Sequence, residues 1–201
     1  MKADEAEVQT IFQRFLAERG EALGEVFAKV KPFVQKYGPT QSGYSQLLKL
    51  ISEATELVAP YTPCGKGCSH CCNMAVLITQ HEAERIAAYT GLSYLQQTLE
   101  ITDWDEMVAY QDEKVEKFLR VPCVFLGAEG ECTIYPVRPI ACRTYHTIAP
   151  TNEPCRLGVA GERAKEVPSI NFSNLHLAHA AIAWRDQHVA DIREWFPRED
   201  A

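Results

Sequence analysis

The chain contains the stretch Cys64-Gly-Lys-Gly-Cys68-Ser-His-Cys71-Cys72, which holds four of its eight cysteines. Four soft sulfur donors within nine residues are typical of a loop that gathers a thiophilic metal ion or an iron–sulfur cluster. The two glycines suit a tight backbone turn around such a ligand. Four buried core cysteines in one glycine-containing loop would be an unusual accident. This stretch therefore predicts part of a metal site.

All eight cysteines are candidate ligands, and the four outside this stretch are Cys123, Cys132, Cys142 and Cys155. Structural zinc sites usually take two short-spaced ligand pairs, and two neat C-x2-C pairs are not present here. The spacing therefore leaves zinc and iron both open, and it leaves open whether eight cysteines fill two sites or one. Cys123, beside Val124 and Phe125, is alternatively a small apolar core residue.

The adjacent pair Cys71 and Cys72 predicts that the loop is only half of a binding site. In an extended backbone, neighbouring side chains point to opposite faces. The two thiols would then serve different centres, or one would bind metal while the other packs against the protein. We expect distant ligands to close the site, and Cys132, Cys142 and Cys155 are the best candidates. Arg138 and Arg143 flank Cys142, where guanidinium groups stabilise thiolates; surface ion pairs are the alternative.

Composition limits the classes of function. The net charge is −7 at pH 7, which argues against a nucleic-acid partner because such proteins normally carry a basic face. The acidic start of the sequence does not resemble a secretory signal, and no stretch approaches the roughly 18 apolar residues of a membrane span. We therefore expect a cytoplasmic protein without a membrane partner. In that reducing compartment, clustered cysteines are metal ligands or redox groups rather than disulfides.

The apolar periodicity predicts a mainly α fold with a small β-hairpin, a helical bundle around the cysteine-rich loop region. We expect a single domain over residues 1–201. It comprises a helical N-terminal region (1–58), a cysteine-cluster core (61–157) and a C-terminal helix (173–196). The helical flanks offer a surface for a possible protein partner.

Local signals place elements inside this core. Thr79 and Glu82 form a capping-box pattern that begins a helix, which should stop at Gly91. Asp103 similarly caps a helix that ends near residue 119. Residues 121–126 and 132–135 are strand-like runs around a glycine-containing turn, so they predict a hairpin that brings Cys123 and Cys132 to nearby rungs.

These residues resemble the CxxCxxCC cysteine-cluster family (YkgJ-like), described as zinc- or iron-chelating proteins. The resemblance rests on Cys64-x3-Cys68-x2-Cys71-Cys72 and on the block Cys132-Thr-Ile-Tyr-Pro-Val-Arg-Pro-Ile-Ala-Cys142-Arg. It covers about residues 61–157, with one extra residue between the first two cysteines. It implies a metal or iron–sulfur centre, and some members carry the label Fe–S oxidoreductase.

Three functions are compatible with this resemblance. The first is a metalloprotein whose cysteines hold iron, as an iron–sulfur cluster, for redox chemistry or protein modification. The second is a non-enzymatic interaction module in which zinc is structural. The third is a methyl-transfer enzyme, because flagellin lysine N-methylases look similar in their cysteine block. The sequence shows no motif for S-adenosylmethionine, and it indicates no catalytic residues.

Overall fold

A computed structural model describes residues 5–37, 40–97, 104–155, 167–173, 175, 176, 178, 179 and 188–198. Over these residues the fold is mainly α with a small two-stranded antiparallel sheet, which confirms the predicted fold class. The chain divides into two compact units, each made of two segments. The first unit comprises Met1–Gly65 and Arg143–Ile182, and the second comprises Lys66–Cys142 and Ala183–Ala201.

The first unit contains three helices within the N-terminal region that the apolar periodicity predicts to be helical. They are α1 (Glu5–Ala28), α2 (Val30–Tyr37) and α3 (Gln41–Val58). Pro32 lies in the first turn of α2, where a missing backbone N–H costs little. Burial of one face of each helix stabilises this unit. Its core side chains include Phe15, Leu23, Val26, Phe33, Leu47, Ile51 and Val58.

The second unit contains the sheet and most of the cysteines. Strands β1 (Leu77–Thr79) and β2 (Val189–Asp191) pair in the register Leu77↔Asp191. The structure also describes four further helices: α4 (Gln80–Thr90), α5 (Trp104–Phe118), α6 (Ile140–Thr144) and α7 (Ile192–Trp195). Some residues in the range 173–179 are also helical, and several short 3-10 turns are present. The apolar core of this unit comprises Ile78, Ala83, Ile86, Cys123, Phe125, Ile134, Ala190, Ile192, Trp195 and Phe196.

The predicted start and end of α4 are confirmed. The Thr79 hydroxyl accepts from the backbone N–H of Glu82, and the Glu82 carboxylate accepts from the Thr79 N–H, which completes the capping box. Gly91 ends the helix in the left-handed conformation, with a φ of 74°. The predicted cap at Asp103 lies outside the described residues.

The prediction of one C-terminal helix over 173–196 is wrong in its last part. Residues 189–191 form β2, because their backbone pairs with β1 and Ala190 is buried in the core. A second capping box, Asp191 with Glu194, then begins the short helix α7. Residues 180–187 lie outside the described part of the chain.

The predicted hairpin over 121–135 is present only in reduced form. Leu126 and Cys132 form one isolated antiparallel bridge, and the Thr133 N–H donates to the Phe125 carbonyl at 2.9 Å. The turn is closed by the Gly127 N–H, which donates to the Glu131 carbonyl at 2.8 Å. Among the described residues, the regular strands therefore lie elsewhere, in β1 and β2.

Within the part of the chain that the structure describes, none of the helices combines the length and apolar character needed to cross a bilayer.

Glu82 provides a test of how the second unit is held together. Its carboxylate is buried, and besides capping α4 it accepts from the Ile140 N–H at 2.8 Å, at the start of α6. We predict that Glu82→Gln lowers the free energy of unfolding by about 1.5–3 kcal/mol, because charge-assisted bonds to two buried amides are weakened. Urea denaturation of the metal-free protein measures this. The exposed neighbour Glu84 is the matched control, and Glu84→Gln should change stability by less than about 0.5 kcal/mol.

Candidate metal centre

The double-cysteine segment forms a tight turn rather than an extended strand. His70–Asn73 is a 3-10 turn in which the Cys72 N–H donates to the Ser69 carbonyl at 3.0 Å. The Met74 N–H donates to the Cys71 carbonyl at 3.1 Å. The expectation that Cys71 and Cys72 point to opposite faces is therefore wrong. The turn brings the two thiols together, and the Cys72 thiol donates a hydrogen bond to the Cys71 sulfur.

Backbone hydrogen bonds bring the segment of Cys123 beside this turn. The Cys123 N–H donates to the Cys72 carbonyl at 2.7 Å, and the Arg120 N–H donates to the Asn73 carbonyl at 2.8 Å. Arg120 has a φ of 66°, the left-handed conformation that the chain needs as it leaves α5. Cys72 and Cys123 are therefore fixed relative to each other by the main chain.

Two further cysteines reach the same neighbourhood from other elements. Cys132 follows the turn after Cys123 and contacts the apolar core of the second unit, as Cys72 does. Cys142 lies on α6, whose first residue is held by Glu82. Each of these thiols lies close enough to others in the group for their charges to interact. The group comprises Cys68, Cys71, Cys72, Cys123, Cys132 and Cys142.

The thiol pKa values differ because the local donors differ. The hydrogen bond from Cys72 lowers the pKa of Cys71, and the same bond, together with burial, raises the pKa of Cys72. Burial also raises the pKa of Cys142 well above its ordinary value, and the neighbouring thiols add to this effect. Without a metal, the group should therefore hold most of its protons at neutral pH, with Cys71 the best-placed thiolate.

Backbone amides oppose the effect of burial at Cys123 and Cys132. Burial raises the pKa of each thiol, but Cys123 accepts from the Phe125 amide and Cys132 accepts from the Ile134 amide. The two contacts have the same spacing, from a sulfur to the N–H two residues later. Hydrogen bonds to sulfur favour the anionic form, which is the form that binds metal.

Arg138 supplies positive charge to the same group. Its guanidinium carbon lies 3.8 Å from the centre of the Tyr135 ring. Burial raises the pKa values of Cys132 and Cys142, and the charge of Arg138 partly offsets this. At Cys71 the same charge adds to the hydrogen bond from Cys72, which lowers the pKa. The expectation that an arginine near Cys142 stabilises thiolates is supported for Arg138. Arg143 lies in the first unit, where it lines an open cleft along α3.

The other two predicted ligands belong to the first unit. Cys64 is half-buried and its sulfur accepts from the Thr147 N–H at 3.5 Å, whereas Cys155 is buried at the end of a 3-10 turn. The eight-cysteine ligand set therefore remains a prediction. Within the described residues, no three His, Cys, Asp or Glu side chains are arranged so that they could hold a metal ion as they stand.

The donor chemistry of the six-thiol group fits a thiophilic metal. Sulfur donors suit zinc, copper(I) and iron–sulfur clusters, and bound thiolates are stabilised by amide hydrogen bonds and nearby cations. If the group binds such a metal, its ligands would be drawn from the turn at 68–72, the segment at 123–132 and α6.

Two structural residues at this centre were missed from the sequence. Arg193 bonds to carbonyls of the cysteine segments and Asp191 holds the Arg193 side chain, whereas the sequence pattern predicts that both residues lie within one continuous helix. The pattern Asp191-Ile-Arg-Glu194 is itself a capping-box signature, which could have shown that a new helix begins there.

The hydrogen bond between Cys72 and Cys71 can be tested by chemical reactivity. We predict that Cys72→Ala raises the pKa of Cys71 and slows its alkylation by iodoacetamide at about pH 7.5, because only the thiolate reacts. Cys72→Ser, which keeps a hydroxyl donor, should retain faster alkylation. Peptide mapping of the reduced, metal-free protein by mass spectrometry measures both rates. Equal rates at Cys71 in the two variants would contradict the assigned bond.

Comparison with known families agrees with this chemistry. The model of the CxxCxxCC family, described as a putative zinc- or iron-chelating domain, matches residues 63–168, which is more than half of the chain and includes all eight cysteines. No curated protein and no solved structure matches the chain. The thiols that lie together in the second unit all fall within the matched region. The chain therefore belongs to the CxxCxxCC family.

Proposed function

We propose that this protein binds iron, as an iron–sulfur cluster, through the thiol group of its second unit. The observation that carries the proposal is that five thiols from three segments lie close enough for their charges to interact, and that the Cys123 N–H bonds to the Cys72 carbonyl at 2.7 Å. The five are Cys71, Cys72, Cys123, Cys132 and Cys142. The family description supports zinc or iron chelation in general. The choice of an iron–sulfur cluster is the finer step of the proposal.

The number of thiols favours a cluster over a single ion. A structural zinc ion takes four ligands, whereas this group offers six thiols: the five named above and Cys68, whose charge interacts with that of Cys71. In a cluster the thiolates bind different iron atoms, so a wider set of sulfurs can be accommodated than around one ion. The thiol side chains must lose protons and turn toward the ligand, so binding is coupled to local ordering.

The surroundings of the thiols suit an anionic centre. The amides of Phe125 and Ile134 and the guanidinium of Arg138 act on the sulfurs, and such groups tune the potential of iron–sulfur centres. A bound cluster would supply one-electron chemistry, for redox or for modification of another protein. The role of these residues is to hold the thiolates, supply positive charge and keep part of the site away from water.

Anaerobic purification followed by iron, zinc and sulfide analysis tests the proposal. We expect iron and inorganic sulfide bound to the protein, with broad visible absorption near about 400 nm. A colourless preparation with stoichiometric zinc and no sulfide would overturn the cluster, because zinc is d¹⁰. That result would instead favour the structural-zinc module.

Substitution of single thiols tests which residues hold the metal. We predict that Cys68→Ser and Cys71→Ser each lose most of the bound metal and destabilise the folded protein, because site assembly contributes to folding. Metal content per chain and thermal unfolding measure the two effects. His70→Ala, in the same turn, is the control and should keep its metal. Wild-type metal content in both cysteine variants would contradict the ligand assignment.

Metal affinity should rise with pH. Burial raises the pKa values of Cys123, Cys132 and Cys142, so these thiols are protonated near neutral pH and must release protons when they bind. Raising the pH from about 6.5 to about 8 weakens the competition between protons and metal for the thiolates, so the metal should bind more tightly. Calorimetric zinc titrations of the reduced metal-free protein, in buffers of different ionisation enthalpy, measure affinity and proton release. Binding without proton release would contradict the prediction.

A further inference from the structure

We infer that Arg193 is a positioning residue for the metal centre, because it fixes the double-cysteine turn against the segment that carries Cys123. This inference rests on the proposed function, since it assigns a supporting residue to the same centre. It adds a residue from outside the region that the family model matches, which ends at residue 168.

Arg193 bonds to carbonyls on two separate segments, residues 72–74 and residues 121–122. One terminal nitrogen of its guanidinium, Nη2, donates to the carbonyls of Cys72 at 3.2 Å, Met74 at 3.1 Å and Val121 at 2.6 Å. Its Nε donates to the Pro122 carbonyl at 3.4 Å. Arg193 therefore bonds to the same two segments that are joined directly by the hydrogen bond from the Cys123 N–H to the Cys72 carbonyl.

The other end of the guanidinium is held by Asp191. The Nη1 atom of Arg193 donates to both carboxylate oxygens, at 2.9 and 3.1 Å. Arg193 is 6% exposed and Asp191 is fully buried, while the Arg193 guanidinium carbon lies 5.1 Å from the centre of the Phe118 ring. The ion pair with Asp191 and the packing against Phe118 therefore hold the guanidinium in the orientation in which it bonds to the cysteine segments.

A buried ion pair is an expensive way to gain stability, because two charges must leave water. Its contribution here is geometric, since the planar fork of arginine can bond several carbonyls at fixed directions. Lysine keeps the charge and can still pair with Asp191, but its single ammonium cannot reproduce these bonds. A turn whose carbonyls are fixed loses less conformational entropy when its thiolates bind metal, so Arg193 should raise metal affinity.

Cobalt(II) titration of the reduced, metal-free full chain tests this inference. We expect Arg193→Lys to weaken cobalt binding about 10- to 100-fold, the usual effect of removing a residue that supports metal ligands. The thiolate-to-cobalt absorption should also shift or broaden, because the thiolates are held less uniformly. Lys117→Gln is the matched control, because Lys117 binds the exposed side of the same segment through the Glu194 carboxylate at 2.8 Å. It should bind cobalt as the wild type does.

A second variant separates positioning from general stability. Asp191→Asn weakens the ion pair but leaves the bonds from Arg193 to the carbonyls, so it should lower stability more than it lowers cobalt affinity. Circular dichroism and urea denaturation establish the folded fraction of each variant. If Arg193→Lys does not fold, the folded Asp191→Asn variant decides instead. Because Asp191 orients the guanidinium, the cobalt affinity of this variant should fall, by less than about tenfold, and wild-type affinity would overturn the inference.

Two further outcomes distinguish a failure of the positioning role of Arg193 from a failure of the proposed metal centre. A folded Arg193→Lys variant with wild-type affinity and spectrum would overturn the positioning role while leaving the metal centre intact. A wild-type chain that binds neither iron nor cobalt would instead contradict the proposed function.

Discussion

The buried pair of Asp191 and Arg193 joins several parts of the second unit. The Asp191 carboxylate accepts from the Val76 N–H at 2.7 Å, caps α7 and binds the Arg193 guanidinium. That guanidinium in turn binds the carbonyls around the cysteine segments. Because loss of either partner would leave a buried charge unpaired, β1, α7 and the cysteine turn are stabilised together.

The thiols combine two opposing influences. Cys123 is part of the apolar core, and Cys72 and Cys132 pack against it, so desolvation favours neutral thiols. Backbone amides favour the thiolate at Cys123 and Cys132, and Arg138 also favours it at Cys132. In the absence of metal the protonated thiols serve as small apolar residues, whereas a metal would draw out their protons. The two interpretations of Cys123, as a core residue and as a ligand, are therefore compatible in one structure.

The sequence predicted those helices that are determined by residues close together along the chain, such as apolar stripes and helix caps. The helices of the first unit follow their apolar stripes, and Thr79, Glu82 and Gly91 set the limits of α4. The prediction failed at residues 189–191, where pairing with β1 overrides an apolar pattern that also suits a helix. It also failed at Cys71 and Cys72, because the 3-10 turn depends on bonds between residues three apart. The role of Arg193 depends on contacts between distant segments, which no local pattern contains.

The distance along the sequence between Arg193 and the double-cysteine turn has a consequence for biosynthesis. Arg193 lies 121 residues after Cys72, whose carbonyl it binds. At about 5–20 residues per second, a ribosome needs roughly 6–24 s to travel that distance. During this interval the nascent chain already presents its double-cysteine segment but lacks the side chain that fixes it. Metal delivery that waits for the finished polypeptide would meet an ordered turn, whereas earlier delivery would meet loose thiols.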